Sequence, residues 1–180
     1  VKQDNTQTEI PSEIPSRFTM SVVLQRQSNM INGWESVQWE IAAVLSDPDG
    51  PKRLEDPITI RQTHSVSQYL WKGLQMTLYV DACEGYWYNL MSEKPYVFVV
   101  CEQDVDDDEP PIPILITASQ DEAGAHLETD ALVLSAPLPT DVLDGVERFV
   151  VNHYVPQVRK KRKRRNWVEE SIRMNPQHQP

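Results

Sequence analysis

The strongest chemical signal in the chain is a run of seven consecutive cations, Arg159-Lys160-Lys161-Arg162-Lys163-Arg164-Arg165, followed closely by Trp167. Charges held this near one another repel, and they gain by meeting an anionic partner. The formal net charge is −10, so with those seven cations set aside the other residues together carry −17. The overall pI of 4.8 describes neither part. A helix C-terminus would gain about 0.3–1 kcal/mol from one or two following cations, which does not account for seven. Single-strand nucleic-acid binding normally combines such charge with stacking aromatics on a basic platform. Here only Trp167 lies nearby and the body is acidic, so nucleic acid is disfavoured. An acidic protein surface or a phosphorylated ligand fits the run better, and a solvated tail is the remaining reading.

Other constellations offer less. Asp104-Val105-Asp106-Asp107-Asp108 begins like a calcium-binding loop, but its sixth position is Glu109 instead of the turn glycine and its twelfth is Leu115 instead of a bidentate Glu. It reads as a solvated charge run. Cys83 and Cys101 lack CxxC spacing and are too few for a four-Cys zinc site. Cys83 falls on the apolar face of an expected helix, which makes it a buried, inert thiol. His64, His126, His153 and His178 are scattered without ligand spacing, and the GxSxG, GxGxxG and GxxxxGK motifs are absent. No metal or cofactor site is expected. Among the aromatics, Trp39 and Trp87 fit core positions, whereas Trp34 at a turn and Tyr88 off the apolar helix face are expected to be exposed and available for recognition.

These residues must be positioned by elements that the apolar periodicity locates. Phe18, Met20, Val22 and Leu24 alternate with polar neighbours and predict a strand. After the turn Asn32–Gly33, Val37, Trp39, Ile41, Ala43 and Leu45 alternate on one face, which completes a hairpin. Ser46–Pro57 reads as a loop before a weaker strand at Ile58–Thr63. Leu74, Met76, Leu78 and Val80 give the cleanest alternation. Asp81 and Glu84 have capping-box spacing for a helix whose inner face is Cys83, Tyr86, Trp87, Leu90 and Met91. Pro95 ends it, and Tyr96–Cys101, apolar throughout, predicts the central strand. Pro113 makes Ile112–Ala118 an edge or a strand start. Ser119 and Glu122 can cap a short helix, Leu132–Ala136 predicts the last strand, and Thr140 can cap a helix with Val142, Val146, Phe149, Val150 and His153 inward.

The expected fold is α+β, a single domain with a mainly antiparallel sheet of about six strands, two or three short helices and flexible termini. Residues 1–16 form a flexible N-terminal arm, 17–155 the α+β domain, and 156–180 a basic C-terminal tail. No run approaches the ~18 apolar residues that span a bilayer, and the first twenty residues lack a signal peptide's apolar core. A cytoplasmic protein without membrane contact is expected.

The segments WESVQWEIAAVL, LYVDACEGYWYNLMSEKPYVFVV, ITASQDEA, APLP and FVVNHYVPQVRKKRKRR, taken in order, resemble an uncharacterised bacterial domain family. Its members are typically encoded beside molybdenum-dependent formate dehydrogenases and are sometimes labelled as related to molybdopterin-guanine dinucleotide biosynthesis. The likeness covers about residues 17–165. Its most specific parts are Glu84-Gly85-Tyr86-x-x-Asn89-Leu90 and the basic cluster. Position 83 is commonly Thr in the family, and the family's Ser-Pro-aromatic-Glu segment stands here as Ser119-Gln120-Asp121-Glu122 without the proline. The resemblance implies a non-catalytic accessory protein that assists assembly, maturation or stability of the dehydrogenase. Arg159–Arg165 and Trp167, with Trp34 and Tyr88, would engage an acidic face of a dehydrogenase subunit, another acidic protein, or the phosphates of the pterin cofactor. Two alternatives stand beside it: a small enzyme of molybdopterin or sulfur chemistry using Cys83 or Glu84, and a permanently bound structural subunit.

Overall fold

The computed structural model describes residues 14–103, 109–128 and 131–155. Among them the strands are β1 (Arg17–Ile31), β2 (Trp34–Ser46), β3 (Ile58–Gln62), β4 (Val66–Thr77), β5 (Tyr96–Glu102), β6 (Ile112–Thr117) and β7 (Leu132–Pro137). The helices are α1 (Cys83–Leu90), α2 (Gln120–Leu127) and α3 (Thr140–His153), and one 3-10 turn, Val80–Ala82, leads into α1. Every strand pair is antiparallel, so the α+β class stands. The strands divide into two sheets, ordered β2-β1-β4-β3 and β6-β5-β7. Alternation assigns a residue to a face and not a strand to a neighbour, which is why the periodicity did not reveal the division.

The hairpin of β1 and β2 turns at Asn32 (φ 53°) and Gly33 (φ 85°), the two left-handed positions that a tight two-residue turn requires. Farther along, Leu24 pairs with Ile41 and Val23 with Ala43, leaving Ala42 as an extra residue. This bulge reverses the alternation of β2. Val37, Trp39 and Ile41 face the core as expected, but beyond the bulge Val44 turns inward and Leu45 is exposed. A second bulge lies on β4, where Ser21 stands opposite Lys72 and Gly73. Gly73 has φ 74°, and a Cβ there would lie 2.6 Å from Arg53 Cα. The loop following β2 thus lies directly on the β4 backbone. Leu54 donates its amide to the Lys72 carbonyl at 3.3 Å, and Arg53 reaches across to donate to the Pro113 carbonyl on β6.

One core joins both sheets: Met20, Val22, Leu24, Trp39, Trp71, Leu74 and Met76 meet Val97, Val99, Cys101, Ile116 and Ala136. As expected, β5 is the middle strand of its sheet and Pro113 sits on an edge strand. From α3, Val142, Val146, Phe149 and Val150 close the core, while His153 is exposed, its Nδ1 2.8 Å from the Phe149 carbonyl oxygen. Gly145 lets α3 approach closely, because a Cβ there would overlap the Phe18 ring. Ser119 caps α2 as its spacing predicts, accepting from the Glu122 amide at 3.3 Å. Neither Asp81 nor Thr140 caps a helix. The 3-10 turn places Ala82 at the N-cap of α1, and Pro139 holds that place in α3. Val80, in the 3-10 turn, and Met91, past the last turn of α1, are both exposed instead of buried. Of the expected N-terminal arm, Ile14–Ser16 are docked: Ile14 packs on the core, and the Ser16 carbonyl accepts from the Leu78 amide at 2.7 Å.

Candidate functional site

Helix α1 is fastened from within, which leaves one face of it for solvent. Cys83, Tyr86 and Asn89 are its buried residues. The Tyr86 hydroxyl accepts from the Tyr79 amide at 3.3 Å, and burial raises the Tyr86 pKa. Asn89 donates to the carbonyls of Tyr96 (2.6 Å) and Ala118 (2.8 Å), and its Oδ1 accepts from the Tyr96 amide (2.9 Å). Gly85 lets α1 lie against the start of α2, since a Cβ there would stand 3.0 Å from Ser119 Oγ.

This packing opens a cleft of about 380 Å³ between the starts of the two helices, lined by Asp81, Glu84, Gly85, Tyr88, Ser119 and Asp121. Three carboxylates gather here because both helices present their N-terminal ends to the cleft, where the backbone dipoles favour negative charge. Tyr88 forms one wall and is 55% exposed, with its hydroxyl 3.4 Å from Glu84 Oε1. Its ring stands edge-on to Trp87 at 5.0 Å between centroids, and Trp87 in turn meets Tyr154 at 5.9 Å. The aromatic strip Tyr88–Trp87–Tyr154 therefore runs from the acidic cleft to the end of α3, beside the exposed Val151 and Val155. Trp87 and Tyr154 are half-buried against the core, so Tyr88 is the ring of the strip that can stack on planar or apolar groups of a partner.

Tyr88 is thus exposed as the sequence reading expects. Trp34 is too, at 80%, but it stands at the tip of the β1–β2 hairpin, and no hydrogen bond or ring contact joins it to Tyr88. Arg159, Lys160, Lys161, Arg162, Lys163, Arg164, Arg165 and Trp167 lie outside the described residues, as do Asp104–Asp108. Asp81, Asp121 and Tyr154 join the site only through folding. Asp81 and Asp121 carried a signal as acids at two helix starts, but nothing in their spacing showed that the two starts converge.

Cys83 is not arranged for nucleophilic chemistry. It is 1% exposed, its Sγ points to the Tyr79 carbonyl oxygen at 3.8 Å, and burial with the nearby Asp81 charge raises its pKa. A thiol held neutral and covered is a core residue. Cys101 is more extreme, pushed by burial to about 12. Among the described residues no group of three or more His, Cys, Asp or Glu side chains is placed to hold a metal ion. Nor, among them, is any helix long and apolar enough to cross a membrane.

Comparison with known proteins gives one finding. A family model described as "Protein of unknown function (DUF3305)" matches residues 19–165, which spans the folded body and reaches through the basic run. No curated protein and no solved structure matches significantly.

Proposed function

The chain belongs to the family Protein of unknown function (DUF3305), and on that footing we propose that it is a non-catalytic docking protein of the cytoplasm. Its task in this reading is to assist assembly, maturation or stability of a molybdenum-dependent formate dehydrogenase. The dehydrogenase as partner comes from the resemblance set out above. Docking as the mode of action rests on one observation: the ring strip Tyr88–Trp87–Tyr154, exposed at Tyr88 and half-buried at Trp87 and Tyr154, ends beside the exposed Val155, four residues before the cationic run begins. An aromatic surface adjoining concentrated positive charge suits an acidic protein face, with the rings supplying contact area and the cations supplying encounter rate and register. The phosphates of the pterin cofactor offer the same cations a smaller anionic target.

The test is a titration of the purified protein against formate dehydrogenase at several salt concentrations. Neutralising Lys160, Lys161, Arg162 and Arg164 together is expected to weaken binding and flatten its salt dependence. Unchanged affinity with an unchanged salt slope overturns the proposal.

A further inference from the structure

The two sheets have four edge strands, β2 and β3 in one and β6 and β7 in the other. An open edge pairs readily with another strand, and three of these four are blunted or covered. On β3 the bulged residue Ile60 and the cation Arg61 interrupt the edge. On β6 Pro113 has no amide hydrogen, and its carbonyl accepts from Arg53. β7 packs against β2 and ends at Pro137. Strand β2 differs: from Trp34 to Glu40 it holds no proline, glycine or basic residue, and its bulge comes only afterwards, at Ala42. Both carboxylates of the stretch are drawn over β1 and away from the edge, Glu35 by Ser28 (2.5 Å) and Glu40 by Gln25 (2.6 Å).

The backbone of this stretch has unused bonding groups. Ser28 donates its amide to the Ser65 carbonyl at 2.9 Å, on the β4 side, so its opposite number Val37 is not bonded to β1 at that position. The N–H and C=O of Val37 therefore point away from the sheet, as do those of Glu35 and Trp39 by the two-residue period. Among the described residues no backbone hydrogen bond is made to this side of them.

We infer that this edge pairs with the same edge of a second copy, antiparallel about a two-fold axis at Val37, joining two four-stranded sheets into one of eight. This is independent of the docking role and of its partner. A two-fold axis sets one residue opposite itself, and Val37 is the middle of Trp34–Glu40, so the whole unbulged stretch is used. Val37 then meets Val37, and Glu35 meets Trp39, each pair exchanging both backbone bonds. On the other face Ser36 stands opposite Gln38, and Trp34, 80% exposed in the single chain, opposite Glu40. No two like charges are opposed, so the edge is complementary to itself. Seven residues a side bury less than the roughly 1,200 Å² of standard complexes, which makes the dimer concentration-dependent.

The experiment is sedimentation velocity of the full chain from about 5 µM to about 500 µM, with amide hydrogen exchange at both ends of the range, in about 0.5 M salt to screen contacts between surface charges. The dimer fraction is expected to rise with concentration, and the Glu35 and Val37 amides to exchange at least about fivefold more slowly at the high end, while Ile58–Gln62 are unchanged. Ser36 and Gln38 are exposed, so they can be replaced without disturbing the core. S36K/Q38K sets like charges opposite each other across the axis and should weaken association at least about tenfold. S36K/Q38E, which sets opposite charges there, should return it to within about threefold of the native chain. A monomer at every concentration, a dimer that S36K/Q38K leaves intact, or slowed exchange on another strand in place of β2 overturns the inference. No dehydrogenase is present in this measurement, so its failure leaves the docking proposal standing, and failure of docking leaves this result intact.

Discussion

Asn89 and Tyr96 hold each other in both directions: the Asn89 amide donates to the Tyr96 carbonyl at 2.6 Å, and the Tyr96 amide donates back to Asn89 Oδ1 at 2.9 Å. The same side chain bonds the Ala118 carbonyl at 2.8 Å, so one buried residue ties α1 to the start of β5 and the end of β6. Removing it leaves three backbone groups unsatisfied. N89A is expected to cost about 3 kcal/mol, since each orphaned buried group carries a penalty of about 1–3 kcal/mol softened by whatever water enters. Chemical denaturation measures this, and a cost below about 1 kcal/mol would deny the clasp its structural role.

Three glycines separate strain from crowding. Gly73 has a positive φ and lies under Arg53 and Lys52, whereas Gly33 has a positive φ in open space. G33A is expected to cost about 1 kcal/mol from backbone strain alone, and G73A more, about 3 kcal/mol, because the covering loop must also move. Gly124 lies within α2 with open space where a Cβ would go, so G124A is expected to stabilise by about 0.5–1 kcal/mol. Urea melts of the three variants give the order directly.

The thiols predict an alkaline loss of stability. The folded pKa of Cys101 is about 12 against an ordinary 9.0, so the folded state holds its proton where the unfolded chain has released it. Its contribution is whole below pH 9 and is lost as the pH rises toward 12, at up to about 1.4 kcal/mol per unit. C101V should remove that part of the slope. Both thiols should also resist alkylation at neutral pH until the protein is unfolded, because each is buried.

Exposure distinguishes the two recognition candidates from core residues. Y88A and W34A are each expected to change stability by no more than about 0.5 kcal/mol. In the dehydrogenase titration Y88A should weaken binding about tenfold, as loss of a contact residue beside the cationic segment. W34A, on a separate hairpin tip, should leave affinity within about twofold.

Much of the fold was legible along the chain. The hairpin turn at Asn32–Gly33, the capping of α2 by Ser119, the central place of Tyr96–Cys101 and the edge position of Pro113 all depend on short-range chemistry that a local pattern records. Departures arose where one extra residue shifted a register. Leu45 follows the bulge at Ala42 and turned outward, and the strand Val66–Thr77 carries a bulge at Lys72–Gly73 that breaks its alternation. Asp81 and Thr140 have capping chemistry, but a 3-10 turn and Pro139 moved the helix starts by one residue.

The candidate site divides along the same line. Charge segregation, the exposure of Trp34 and Tyr88 and the inert character of Cys83 follow from residue type and helical phase, which any chain displays before it folds. Convergence of Asp81, Glu84 and Asp121 on one cleft, and of Trp87 with Tyr154, required helices from distant parts of the chain to pack together. Their approach depends on where Gly85 and Gly145 omit a side chain and on where Asn89 finds its three backbone partners. Those are distances between segments, and no periodicity within a segment encodes them.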